Sequence, residues 1–369
     1  MTCRVAIIAN SFSATFVFRK SLLEYLKSSG ILGPVISSCN DISNVNQDGL
    51  NAKLVFFDCE KFGSLFRSFL GICRLLRESN VGVIHGFTHI GNLIAWLSSL
   101  VNRSGLVLTV TGMGRVFSCR SFYCRVFQFF ILAFYWIAKF KASAVIVQNR
   151  DDLLLFSQLL GKASKTKLFL TNGSGIDVSH FHGVRPYHFC KNFPGTIVIG
   201  FFSRALPEKG VDDFYKLADA CSSMASLKFV HVGHPGVGMY SAENIIATAS
   251  QMNVEFKDFV VDIRPYLLAV DIVVIPSIYR EGLSRLLIEA MLAGKVVIAR
   301  TTTGVRDHIK TGNNGILYDS DLKCALETAL GQDSNWLRKK ARLYAEQNFD
   351  VRIVNSVYIK AYRLAKASN

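Results

Sequence analysis

The chain has 369 residues, with 42 Lys and Arg against 27 Asp and Glu for a net charge of +15, and half of its residues are hydrophobic. That length and apolar content suit two domains of ordinary size, each with a core of its own. Nine cysteines stand at 3, 39, 59, 73, 119, 124, 190, 221 and 324 with no Cys-x-x-Cys pair, which argues against a zinc site or disulfide framework and fits a reducing cytoplasm.

The chain opens Met-Thr-Cys-Arg-Val-Ala-Ile-Ile-Ala-Asn, an apolar run too short for the core of a signal peptide, so no secretion is expected. Apolar runs at 5–9, 54–57, 81–85, 106–111 and 144–147 read as strands, with helical patterns such as 18–28 and 93–100 between them. Strand and helix in alternation predict a parallel sheet. A further strand at 167–170 precedes a polar, His-containing run to Pro194, which reads as a hinge with a domain boundary at 185/186.

Charge is uneven, residues 1–180 carrying +10 and residues 181–369 carrying +5. Between Glu78 and Asp151 there is no acid, while Arg103, Arg115, Arg120, Arg125, Lys139, Lys141 and Arg150 are interleaved with Phe and Tyr. Such a stretch suits an anionic surface. Its apolar centre, 126–138, is too short and too closely flanked by charge to span a bilayer. Two readings stay open for it: a helix packed in the domain, or one that also lays an aromatic and basic face on a membrane.

The second half repeats the alternation, with strands at 196–202, 227–232, 254–256, 272–275 and 296–299 and a last helix at 350–367. After the first of these comes Ser203-Arg204-Ala-Leu-Pro-Glu-Lys209-Gly210. Loop amides, a helix amino terminus and two fixed cations together favour a diphosphate. Further on, Pro276-Ser277-Ile-Tyr-Arg-Glu281-Gly282-Leu283-Ser284 leads into Glu289-Ala290-Met291-Leu-Ala-Gly294. Apolar residues at 283, 286, 287, 290 and 291 have helical spacing. Eight residues of helix rise about 12 Å, against roughly 5–9 Å between the paired carboxylates of a glycoside hydrolase. The two acids are therefore expected to address different ends of one elongated ligand, with Glu281 at the carboxyl end of a strand, where open α/β sheets place ligands. Asp319-Ser-Asp321 reads as a turn and helix cap.

The Glu281 to Glu289 segment resembles the signature of the family 4 retaining glycosyltransferases of the GT-B fold, and Arg204 with Lys209 resembles their diphosphate-binding pair. The resemblance implies two Rossmann-like domains with parallel sheets facing a central cleft: an acceptor domain at 1–185, a nucleotide-sugar domain at 186–349, and a helix at 350–369 returning to the first domain. It implies that Arg204 and Lys209 stabilise the departing nucleoside diphosphate, that Glu289 binds the ribose hydroxyls, and that Glu281, with Gly282, Leu283 and Ser284, holds the donor sugar. The base would sit near Phe259 and Val260, where Asp258 replaces a frequent Gly. His85, at the end of its strand, would face the cleft, and two readings stay open for it, a catalytic part or a structural, hydrogen-bonding one, since Phe87 replaces a second His of many relatives. Thr109-Val-Thr111-Gly112-Met-Gly114, with Asn10, Ser11 and Arg19, is similar to bacterial members that extend lipid-linked sugars; Asn10, Ser11, Arg19, Thr111, Gly112 and Gly114, together with Thr88, would bind sugar or acceptor.

The implied donor is a UDP-sugar and the implied acceptor an undecaprenyl-diphosphate-linked saccharide of O-antigen, capsule or glycoprotein glycan assembly. The protein is expected to be cytoplasmic and peripheral on the inner face of the membrane. No cofactor, metal or nucleic-acid partner is expected, since Arg204 and Lys209 can neutralise a diphosphate and the eight His residues lack ligand spacing. Competing readings are a GT-B nucleotide-sugar epimerase and a noncatalytic basic nucleic-acid-binding protein.

Overall fold

The computed structural model describes residues 3–38, 54–57, 62–119, 121–189 and 195–367. Arg120 of the basic stretch and Cys39, Cys59 and Cys190 lie outside the described residues. The chain divides into two compact units: Met1–Gly175 with Val351–Asn369, and Ile176–Asp350.

The first unit holds seven strands: β1 (Arg4–Ile8), β2 (Leu32–Ser38), β3 (Leu54–Phe57), β4 (Val81–Phe87), β5 (Gly105–Val110), β6 (Ala142–Val147) and β7 (Lys167–Leu170). All pair in parallel in the order β3-β2-β1-β4-β5-β6-β7. Runs such as Ala-Ile-Ile and Ala-Val-Ile-Val are apolar throughout because the sheet is covered on both faces. One face packs against the helices Phe62–Glu78, Thr88–Asn102, Phe122–Ala138 and Arg150–Leu160. The other packs against Phe12–Ser28 and the last helix, Val351–Ala367, which lies on β4, β5 and β6 through Val354, Tyr358, Ala361 and Tyr362. The carboxyl-terminal helix thus belongs to the first unit.

The second unit holds β8 (Ile197–Phe202), β9 (Leu227–Val232), β10 (Val254–Lys257), β11 (Ile272–Ile275), β12 (Val296–Arg300) and β13 (Ile316–Tyr318), parallel in the order β10-β9-β8-β11-β12-β13. Helices 211–220, 242–251 and 322–330 cover one face; 264–269, 285–292 and 334–348 cover the other. Asp321 caps the helix Leu322–Leu330, its carboxylate accepting from Cys324 N–H at 2.8 Å.

The division between the units falls at 175/176, not 185/186, and returns at 350/351. Ile176 N–H donates to Phe349 O at 2.9 Å, and Ile176, Phe181 and Tyr187 pack into the second unit's core. The described part of the polar run from Ile176 to Phe189 therefore belongs to that unit rather than to a hinge. Two strands, β2 and β13, were not among those expected. Pro34 cannot donate to a ladder, and β2 accommodates it where its register with β1 slips between Val5 and Ile7. Among the described residues no helix is long and apolar enough to cross a membrane.

Candidate active site

In each sheet the strand order reverses once, between β1 and β4 in the first and between β8 and β11 in the second. Chain segments leave such a point in opposite directions and open a crevice at the carboxyl ends of the strands.

At the second unit's reversal, the loop after β8 carries Arg204 and Lys209 and the loop after β11 carries Glu281. Lys209 Nζ donates to Glu281 Oε1, and the ammonium lies 5.3 Å from the Tyr279 ring centroid. The two loops are also joined by backbone: Ile278 N–H and Ser277 Oγ both donate to Glu208 O, at 3.1 and 3.2 Å. Gly210 makes the join possible, since a Cβ there would stand 2.4 Å from Pro276 O and its φ is +76°. Arg204 is exposed on the same loop, whose Ala205 N–H donates to His234 O after β9 at 2.9 Å. His234 stacks on Phe259, after β10, with centroids 5.1 Å apart. Loops from β8, β9, β10 and β11 thus place Arg204, Lys209, His234, Phe259 and Glu281 along one end of one sheet, with Val260 half-buried beside Phe259.

The second carboxylate sits differently from the expectation. The helix runs Arg285–Leu292, so Glu281 precedes it in a loop and Glu289 lies inside it. Gly282 and Leu283 are buried in that loop, and Ser284 caps the helix with no side-chain hydrogen bond. The turn at Gly304 abuts this loop: a Cβ there would be 2.0 Å from Gly282 O.

Glu289 is 7% exposed, its Oε1 accepting from Arg285 Nε at 2.8 Å with His180 Nε2 at 3.9 Å. Burial raises its pKa, with Arg285 opposing. Arg264 completes the cluster, donating to His180 O at 2.8 Å and to both Asp262 oxygens. Sequence reasoning missed His180, Arg264 and His234. Arg285 was legible in principle, four residues before Glu289 on one helix face.

In the first unit, Asn10 is exposed and Ser11 half-buried at the end of β1. Thr88, after β4, has φ +66° and a buried Oγ1 with no hydrogen-bond partner. A β-branched residue in that region costs on the order of 1–3 kcal/mol, the kind of strain found at ligand sites. Thr111, Gly112 (φ +127°) and Gly114 (φ +74°) follow β5. Arg19 is buried rather than solvent-facing, its guanidinium 4.6 Å from the Phe87 ring centroid.

His85 is placed differently from the expectation. β4 continues to Phe87, so His85 lies inside the strand, fully buried. Its Nδ1 is 2.7 Å from Tyr362 OH and its Nε2 2.7 Å from Thr109 Oγ1, with Phe87 at 4.0 Å. Both ring nitrogens are taken, and burial, then the Arg19 charge, holds its pKa well below the usual value. It fastens the last helix to the sheet. His85→Ala leaves two buried hydroxyls short of a partner and is expected to cost about 2–4 kcal/mol in urea unfolding, with kcat per folded molecule unchanged. A large fall in kcat at unchanged stability would restore the catalytic reading.

Burial also lowers His89, and brings His180 and His231 down to about 4, His180 with help from Arg285 and Arg264. Below pH 6.5 the unfolded chain takes up protons at these sites that the folded chain refuses. Stability is therefore full above that pH and lost as pH falls from 6.5 toward 4, by roughly 1 kcal/mol per pH unit for each such histidine. Glu289 acts in the opposite sense, one carboxyl against four imidazoles. Urea midpoints between pH 7.5 and 4.5 check the limb; a flat profile would contradict it.

Residues 196–332, which lie within the second unit, match the family model described as Glycosyl transferases group 1. A curated relative, an uncharacterized 42.6 kDa protein in the cps region of Klebsiella pneumoniae, is 31% identical over 166 residues, covering 42% of this chain and 43% of that protein. The chain matches under half the length of that relative. Among solved structures, HepE of Anabaena in complex with UDP superposes with a TM-score of 0.76 at 20% identity, over 97% of this chain and 98% of that one. Sucrose-phosphate synthase of Thermosynechococcus elongatus gives 0.77 at 18% identity over the whole of both chains. With the two parallel sheets described above, these likenesses show the GT-B fold of two Rossmann-like α/β domains. Among the described residues no three His, Cys, Asp or Glu side chains gather as a metal site.

Proposed function

We propose that the protein is a family 4 retaining glycosyltransferase that moves a hexose, an N-acetylhexosamine in our reading, from a UDP-sugar to an undecaprenyl-diphosphate-linked saccharide in bacterial surface polysaccharide assembly. The observation that carries the reading is the Lys209–Glu281 pair at the second sheet's reversal point, with Arg204 on the same loop and Glu289 in the following helix. Two cations offset the charge that grows on the departing UDP as the anomeric C–O bond breaks, so the reaction needs no metal. The Glu281 carboxylate, beside the amides of Gly282 to Ser284, receives the sugar hydroxyls and steadies an oxocarbenium-like centre. Glu289 takes the ribose hydroxyls, oriented by Arg285 and His180, and Phe259 with Val260 borders the base. Asn10, Ser11, Thr88, Thr111, Gly112 and Gly114 receive the acceptor on the first unit.

UDP as the donor nucleotide is supported by the solved complexes of HepE with UDP and with UDP-glucose, and the surface polysaccharide role by the cps-region relative. Release of UDP on mixing UDP-sugars with defined lipid-linked acceptors tests the reading. Turnover must require both substrates and keep the anomeric configuration of the donor; turnover of donor alone would replace transfer by epimerisation.

A further inference from the structure

The helix Phe122–Ala138 meets the sheet through Tyr135 and Ala138, with Ile131, Leu132 and Phe134 packed beside them. That satisfies its core contacts. A surface helix then ordinarily turns polar side chains outward. This one turns out Phe122, Phe127, Phe129 and Phe130, and Phe140 follows its last turn, all between 61% and 76% exposed, with Trp136 at 50%. Arg125 is the helix's single charged residue, and it is exposed. The neighbouring helix Thr88–Asn102, joined to it through Trp96 and Phe134 at 5.8 Å, has no charged residue and exposes Ile90, Leu93, Leu97 and Leu100 on one stripe. An outward apolar surface of this extent marks an interaction site.

The geometry points to an anionic lipid bilayer as the occupant, with the helix Phe122–Ala138 lying in the plane of the membrane. This rests on the lipid-linked acceptor proposed above and names the surface that brings the enzyme to it. Cations rim the aromatic face: Arg103 and Arg125 are exposed, and Lys139 lies 5.1 and 5.5 Å from the Trp136 and Phe140 ring centroids. Aromatic bodies sink to the level of the headgroups while such cations meet lipid phosphates. A second copy fits worse. A two-fold contact would set these cations against themselves, and residues 79–150 hold no acid to offset them. The surface also reaches the acceptor loop: the short helix Arg115–Ser118 follows Gly114, and Gln128 Nε2 donates to Val116 O at 2.7 Å. A lipid-linked saccharide in the same membrane would present its sugar beside Thr111, Gly112 and Gly114.

Co-sedimentation with phosphatidylglycerol–phosphatidylethanolamine vesicles, against phosphatidylcholine vesicles, tests the proposal. The protein should pellet with the anionic vesicles and be released by salt. Phe127→Ser with Phe130→Ser should weaken that binding by at least roughly 10-fold. Arg125→Glu should weaken it by about the same factor on anionic vesicles alone. These side chains are solvent-facing, so folding is retained, and UDP release with a short-chain, water-soluble acceptor should match the parent. The proposal is overturned if the parent stays in the supernatant, if the double variant pellets equally, or if sedimentation shows a dimer that the double variant dissolves without lipid binding. UDP release without pelleting would reject the membrane surface and keep the transferase. Pelleting without UDP release under any donor would do the reverse.

Discussion

Glu281→Ala is expected to lower kcat by roughly 10²- to 10³-fold, the loss typical when one preorganised electrostatic partner of a transition state is removed, while UDP binds more tightly. The second half of that result comes from Lys209, whose ammonium is held by Glu281. Without the carboxylate the full positive charge is available to a diphosphate. A structural Glu281 would give the opposite split: donor affinity and stability would fall together, with kcat per folded molecule retained. Steady-state kinetics, UDP titration and thermal unfolding on the one variant separate the two.

Arg204→Ala is expected to reduce kcat/KM by about 10²-fold or more and to leave stability within about 0.5 kcal/mol, because Arg204 is exposed. Lys209→Ala should lose a similar factor and also stability, since it leaves the partly buried Glu281 carboxylate without that cation. The contrast tests the assignment of two cations to one diphosphate. Either variant acting at the parent rate would remove its residue from the site.

Much of this was legible in the sequence because parallel strands buried on both faces are short, apolar and bounded by turns. β4, β7 and β11 begin at the expected residues, and the Glu281 and Arg204 loops fall at the strand ends where they were expected. β2 was not legible because Leu-Gly-Pro contradicts strand propensity, and only the register slip against β1 resolves the conflict. His85 misled for a related reason: the expected strand ends at His85, but the strand continues to Phe87 and carries the imidazole into the core. Its partner Tyr362 lies 277 residues away, beyond any local pattern. His180 beside Glu289 and His234 against Phe259 are likewise tertiary pairings. Composition left two readings of Phe122–Ala138 open, since a Phe-rich helix serves a core equally well, and only its packing shows which aromatic side chains face outward.

The most direct test is the thermal midpoint of the protein against UDP concentration, with Glu289→Ala and Arg204→Ala in parallel. A site in the second unit that holds a nucleoside diphosphate predicts a midpoint that climbs continuously with UDP, and a climb that needs much more UDP in both variants. A parent midpoint unmoved by UDP, or one shifted equally in all three proteins, would contradict it.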